Sequence, residues 1–305
     1  ARVVSFLAEE IRASPLPEEN YWWFTVWQPD CIMDQETERP LGEADDLLLR
    51  NHAGCWLLAP HDTWHGFDGI EEGYAMLDPI KVTILTPGIR PGGGMEDRGI
   101  PAGIVTKYLR ESGIVVEKTG YYSFLVLFTL GITKGKSGTL LAELFRFKAL
   151  YDRNSPLEEV FPDLVREHPA RYAGRGLYDL CQEMHGHLKE KSIADVVRRV
   201  YATLPEPAMT PAEAYRHLVR GEVTAVPASE IEGRTVAVMV VPYPPGIPVI
   251  MPGERCGPAT RAIVDYLISL QEFDTLFPGF ENEVHGVDLL TRDGRRVYYI
   301  YCIEE

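Results

Sequence analysis

The stretch from Leu77 to Lys136 constrains the fold most: LDPIKVTILTPG, a glycine-rich gap, then GIPAGIVTKYLRESGIVVEKTGYYSFLVLFTLGITKGK. Three apolar runs of strand length, Lys81–Leu85, Ile114–Val116 and Ser123–Leu130, surround Ile100–Glu111, whose apolar residues recur at helical spacing. The Pro87–Gly94 segment between them is a loop on its glycine and proline content. A βαββ unit of this kind must lay its helix against one face of a small sheet. Glu117 stands where the second run stops being apolar, at the expected rim of that sheet. A carboxylate held there suits recognition of a small cation. A solvated charge pair with Lys118 accounts for the same two residues, and the residues alone leave both readings open.

The flanks suggest two domains, as a length of 305 residues allows. Val3, Val4, Leu7 and Ile11 read as one face of an opening helix entered mid-element, which would fit a chain with more sequence upstream. Pro15 and Pro17 break it, and YWWFTVWQP is expected to be a strand ended by Pro29. Residues 31–53 are acidic and read as an irregular surface excursion, followed by a strand over Cys55–Ala59. Lys136–Tyr151 is a helix on the spacing of Leu140, Leu141, Leu144, Phe147 and Leu150. Residues 155–220 are expected to be mostly helical, with Thr210, Pro211 and Glu213 forming a capping box at one helix start. A strand over Arg234–Val241, a helix over Ala259–Phe273 and a terminal strand over Arg296–Cys302 complete the reading. Five prolines within Pro242–Pro252 exclude helix or central strand there.

Composition narrows the function classes. The net charge of −15 argues against a nucleic-acid partner and fits one that attracts cationic small molecules. No apolar run approaches the roughly 18 residues of a membrane helix. The five cysteines are odd in number and widely spaced, with no zinc spacing, and read as reduced thiols of a cytoplasmic protein.

His61, Asp62, His65 and Asp68 are the densest metal-competent cluster, but Pro60, Gly66 and Gly69 make the segment a loop, where the His spacing means little. A hydrogen-bonded turn is the favoured reading, and no metal is expected. His185 and His187 fall in a helical segment and read as surface residues. Lys81, embedded in an apolar strand, could be a desolvated Schiff-base nucleophile; a rim lysine paired with Asp78 is favoured. Phosphate-binding glycine motifs and nucleophile elbows do not occur.

The ordered motifs WWFTVWQP, TWHGF, MLDPIKVTILTPG, GIPAGIVTKYL, GIVVEKTG, GITKGKSGTL, MTPAEAY, VPYPPGIPVIMPGE and FPGFENEVHG span nearly the whole chain. In them the sequence resembles the C-terminal half of the bacterial ornithine/lysine/arginine decarboxylases, enzymes of fold type I that use pyridoxal phosphate. The resemblance implies an α+β chain. Residues 1–20 would be the last helix of the cofactor-binding large domain, 21–152 an aminotransferase-like small domain (a mixed sheet with helices on it), and 153–305 an α/β C-terminal domain. It also implies a homodimer, with higher oligomers open, and a substrate among the basic amino acids. The wording of the motifs leans toward lysine over arginine or ornithine.

The family's cofactor lysine follows a Ser-x-His run upstream of residue 1, and its other cofactor contacts also lie upstream. None of the eight lysines here, Lys81, Lys107, Lys118, Lys134, Lys136, Lys148, Lys189 and Lys191, follows such a run. The resemblance therefore assigns no catalytic or cofactor-binding residue to this chain. It matches Glu117, in GIVVEKTG, to the family carboxylate that faces the distal cation of the substrate. On its own, such a chain could equally be a non-catalytic folded module serving assembly. The acidic balance generates one expectation for solution: protonating crowded carboxylates relieves repulsion between copies, so self-association should tighten as pH falls toward about 5. Light scattering that shows no rise in mass over that fall would contradict it.

Overall fold

The computed structural model describes residues 24–304 except 30, 35–36, 52, 68, 91–93 and 293. The expected opening helix, with Val3, Val4, Leu7 and Ile11, lies outside the described residues. The chain is α+β and divides into two compact units. The first comprises residues up to Pro162 with Gly174–His185, the second Asp163–Ala173 with Gly186–Glu305.

In the first unit, β1 (Thr25–Val26), β4 (Lys81–Leu85), β6 (Ser123–Leu127) and β5 (Lys118–Thr119) form an antiparallel sheet in the order β1-β4-β6-β5. The β2–β3 hairpin (Cys31–Asp34 and Thr37–Pro40) and α1 (Asp46–Asn51) occupy the stretch expected to be irregular. The apolar residues of that stretch, Ile32, Leu41 and Leu49, are buried although they follow no regular period, which is why the sequence reads as a loop. The expected strand over Cys55–Ala59 is instead a short 3-10 turn, Ala53–Cys55, and a single bridge from Leu57 to Met76.

Register on the sheet follows side-chain alternation. Val82 pairs with Val126, Ile84 with Phe124, and Lys81 with Leu127. Val82, Ile84 and Phe124 are buried. They share a core with α2 (Ala102–Glu111), whose Ile104, Val105 and Leu109 are fully buried, and with Leu144 and Phe147 of α3 (Lys134–Asp152). Each such side chain contributes about 1.5–3 kcal/mol on burial. That exceeds the ~1 kcal/mol from the Thr133 hydroxyl that caps α3 by accepting from Lys136 N.

Of the three expected strands, the one over Ile114–Val116 does not form and the one over Ser123–Leu130 is shortened. Ile114–Val116 stays outside the ladder, because α2 ends in a Schellman motif. There Gly113 N donates to Arg110 O and Ile114 N to Leu109 O, with Gly113 at φ +80°. Ile114 spends its amide on the helix cap, and Glu117 N, donating to Leu125 O, is the first to reach the sheet. β6 stops at Leu127, and Leu130 is fully exposed.

The chain continues through α4 (Leu157–Val160), α5 (Pro162–Glu167), α6 (Pro169–Tyr172), α7 (Leu177–Glu190) and α8 (Ile193–Tyr201), so the expected helical region is observed. After β7 (Glu206–Pro207), α9 (Pro211–Arg220) begins with the expected capping box. Thr210 Oγ1 accepts from Glu213 N, and Glu213 Oε2 accepts from Thr210 N.

The second unit is organised by β13 (Arg295–Ile303), the middle strand between β12 (Asp288–Arg292) and β8 (Val223–Pro227). α10 (Arg261–Leu276) packs on β13 and α8. The expected strand over Arg234–Val241 is not continuous. Val236 N donates to Glu254 O and Ala237 N to Tyr301 O, so its bonds go to two different segments. The ladder resumes only at β9 (Val241–Tyr243), which pairs with β11 (Glu283–His285), while Glu254 and Arg255 form β10 opposite β7.

Candidate functional site

Glu117 sits at the free edge of the four-stranded sheet, where β5 is the last strand. Its amide is held by Leu125 O at 2.9 Å, so the backbone is fixed while the side chain is exposed. Val115, two residues earlier on the same segment, is 76% exposed. Directly after Glu117 the chain pairs as Lys118 with Leu125 and Thr119 with Phe124, then turns back through Gly120, whose amide donates to Ser123 O at 2.6 Å. The rim therefore presents a carboxylate beside an exposed apolar side chain on a rigid backbone. A carboxylate in water gains little from pairing with a cation, roughly 0–1 kcal/mol. It becomes a strong recognition group only when another surface covers it.

The other sequence candidates fall apart from this rim. Lys81 forms a 3.6 Å ion pair with Asp78, both largely exposed. His65 Nε2 bonds Ala59 O at 2.9 Å and its Nδ1 accepts from Phe67 N at 3.0 Å, so both ring nitrogens serve the turn. Asp62 accepts from Trp64 Nε1 at 3.2 Å. Asp68 lies outside the described residues, and among those described no group of three or more His, Cys, Asp or Glu is arranged to hold a metal. Trp27, Trp64, His65 and Phe67 pack as an aromatic cluster, with the Trp27 and Trp64 rings 5.0 Å apart. A cleft of about 430 Å³ lies beside Tyr108, Ser112, Glu143 and Arg146. Glu143 accepts there from Tyr108 Oη at 2.6 Å and Ser112 Oγ at 3.2 Å, and burial together with Glu143 pushes the Tyr108 hydroxyl up to about 12.

His185 corrects the sequence reading. It is 1% exposed, not a surface residue. Its Nε2 lies 3.0 Å from Glu96 O and its Nδ1 2.7 Å from Tyr122 Oη. A carbonyl can only accept, so Nε2 carries a proton, and in the neutral ring Nδ1 accepts from Tyr122. Burial pushes the Tyr122 hydroxyl up, which keeps it a donor. The pair anchors the base of the loop after β4. Gln182 Nε2 adds a bond to Gly99 O at 3.2 Å. A Cβ on Gly99 would stand 2.2 Å from His185 Nδ1, and one on Gly88 2.3 Å from Tyr122. The signal was present in the sequence: Cys181, Met184, His185 and Leu188 share one helical stripe, and all four are buried.

Lys81, Lys107, Lys148 and Lys191 are ion-paired with Asp78, Glu111, Asp152 and Glu272, and Lys118, Lys136 and Lys189 are exposed. The side chain of Lys134 lies outside the described part.

Residues 3–136 match the major domain of the Orn/Lys/Arg decarboxylases, and residues 194–304 match the C-terminal domain of the same enzymes. The chain belongs to this family. It is 50% identical over 288 residues to lysine decarboxylase LdcA of Pseudomonas aeruginosa, covering 94% of this chain and 37% of that protein. The biodegradative arginine decarboxylase of Escherichia coli is 40% identical over 288 residues, with 94% and 38% covered. In three dimensions the chain is similar to lysine decarboxylase A from Pseudomonas aeruginosa, with a TM-score of 0.86 at 47% identity over 99% of this chain and 38% of that one. The constitutive lysine decarboxylase of E. coli gives 0.83 at 38% identity, also over 99% and 38%. The chain thus spans little more than a third of the length of these relatives.

Replacing His185 by Ala removes a buried ring and leaves Tyr122 Oη without its partner. The unfolding free energy should drop by about 3 kcal/mol, measured by denaturant titration, and a drop below about 1 kcal/mol would contradict the anchoring role.

Proposed function

We propose that the chain is the substrate-recognition part of a decarboxylase of basic amino acids that uses pyridoxal phosphate, acting on lysine in preference to arginine or ornithine. The residues that hold the cofactor lie outside these 305. The observation that carries this reading is Glu117 fixed by its backbone at a sheet rim, in a chain whose family acts on amino acids with a distal cation. The lysine preference draws on the relatives of highest identity named above, and on chemistry. An ammonium needs only a point contact with a carboxylate, whereas a guanidinium rewards two parallel bonds and a longer pocket.

In this reading the chain supplies three things. Glu117 accepts a charge-assisted hydrogen bond from the far end of the substrate. Val115 and the apolar strand behind it help exclude water once the rim is covered, which strengthens that bond. The short ladder and the Schellman turn hold the backbone of Glu117 still, which limits where its carboxylate can meet the substrate. The protein is a homodimer or higher oligomer in the cytoplasm, its first described unit belonging to the small domain and its second to the C-terminal domain. In the complete enzyme Glu117→Gln should raise KM for the diamino acid about tenfold or more, the equivalent of losing a hydrogen bond to a charged group, ~1.5–3 kcal/mol. Unchanged kinetics would remove Glu117 from the site.

A second reading is that the 305 residues by themselves are a folded module without activity, favoured by the ion-paired or exposed state of the seven lysines described above. Pyridoxal phosphate added to this chain should give no borohydride-trappable adduct. A stoichiometric adduct on Lys81 or Lys148, located by peptide mass mapping, would return the reacting group to the chain.

A further inference from the structure

We propose that Asp274 is a proton-binding clamp through which the second unit gains stability as the pH falls. Asp274 lies in the last turn of α10 and is fully buried. Its Oδ1 accepts from the backbone N and the Nδ2 of Asn282, both at 2.8 Å, and its Oδ2 lies 2.5 Å from Tyr298 Oη. One carboxyl therefore joins α10, β13 and the turn that leads into β11. The same turn is fastened by Arg171 Nε to Leu276 O at 2.7 Å and Tyr172 Oη to Pro278 O at 2.8 Å. On the strand side Tyr298 N donates to Gln271 Oε1 at 2.6 Å.

The clamp is built from neutral partners. Asn282 and Tyr298 hydrogen-bond the carboxyl without offsetting its charge. The surrounding charges do not favour an anion either. Glu281 is a like charge, and Arg296 is engaged with it at 3.0 Å. Arg171 lies over the rings of Tyr172 and Phe277, 5.2 Å from each centroid, with its Nε on Leu276 O. The carbonyl end of α10 adds the negative pole of the helix dipole. Tyr266, on the same helix, turns its hydroxyl to Pro244 O. Burial and then Asp274 push the Tyr298 hydroxyl up, so it is neutral.

A proton fits the contact between Oδ2 and Oη, because a hydroxyl can donate or accept, and Oδ1 keeps both bonds from Asn282. Burial raises the Asp274 carboxyl from its ordinary value; the bonds from Tyr298 and Asn282 pull the other way and Glu281 adds to the rise. The sign follows from linkage. A carboxyl raised in the folded state binds protons more tightly folded than unfolded. Its stabilisation is fully present below the ordinary carboxylate range and is lost as pH rises through the raised folded value. Inside that window the folding constant falls as pH rises, by at most about tenfold per pH unit for one proton.

Equilibrium unfolding of the 305-residue chain from about pH 4 to about pH 8 tests this against Asp274→Asn and Tyr298→Phe. Asn keeps the size and the Oδ1 acceptor and cannot ionise. Its stability relative to the unaltered chain should rise with pH, by up to about tenfold in folding constant per unit within the window. A difference that stays constant across the range overturns the proposal. Should the Asn variant not fold, Tyr298→Phe decides. Losing the hydroxyl removes the donor that steadies the ionised carboxylate, so its penalty should grow with pH, and a flat penalty overturns the proposal.

Discussion

Two hydrogen bonds at the end of α2, Gly113 N to Arg110 O and Ile114 N to Leu109 O, direct the rest of the first unit. They form only because residue 113 tolerates φ +80°, a backbone state that costs a side-chain-bearing residue about 1 kcal/mol or more. Once made, they turn the chain by a defined angle off a helix whose inner face is locked by fully buried Ile104, Val105 and Leu109. The next three residues have no freedom to join the sheet early. Glu117 becomes the first paired position, and its carboxylate lands on the rim as a consequence of where the helix stops.

Among the described residues, each unit also has a buried ionisable side chain tied to a tyrosine hydroxyl, His185 in the first and Asp274 in the second, and the two are resolved differently. His185 is a donor at one nitrogen and an acceptor at the other, so the neutral ring satisfies both Glu96 O and Tyr122 Oη without any net charge. Asp274 has no such neutral option while ionised, because every group bonded to it is a donor without charge. An uncompensated buried charge is among the costliest features a core can hold. The His185 pair can therefore be a passive anchor, while Asp274 must couple the packing around it to proton concentration.

How far the sequence reveals these features depends on whether a periodic signal coincides with the burial. Lys81–Leu85 alternates with period two and is a strand over those very residues, and α3 and the terminal strand are legible from their own periods, while the Thr210 capping box is legible from residue types at fixed offsets. The β2–β3 hairpin was not, since Ile32, Leu41 and Leu49 bury one side chain at a time between exposed acidic residues. Arg234–Val241 carries a strand composition, but its amides are divided between partners remote in sequence. His185 was misread because residue type was weighed above position: the ring belongs to an apolar helical stripe. Asp274 was invisible, as a carboxylate in an amphipathic helix reads as solvent-facing until Asn282 and Tyr298 are known to meet it. For Glu117 the family resemblance pointed to the residue, and what the structure adds is a backbone amide bonded to Leu125 O with the side chain exposed at a sheet edge.

That distinction bears on how a site of this kind can work. An exposed carboxylate at a sheet edge is nearly worthless for affinity in water, where pairing competes with hydration. The same carboxylate becomes selective when a second surface closes over it, because the desolvation penalty then falls on any side chain that lacks a matching cation. A fixed backbone lets that closure occur without ordering the main chain at the same time, which would cost roughly 1–2 kcal/mol for the residue. A site divided in this way would leave bond-breaking to one part of a protein and length measurement to another. If Glu117 acts as proposed, the rim fixes the distance against which a diamino acid is told from its shorter and longer analogues.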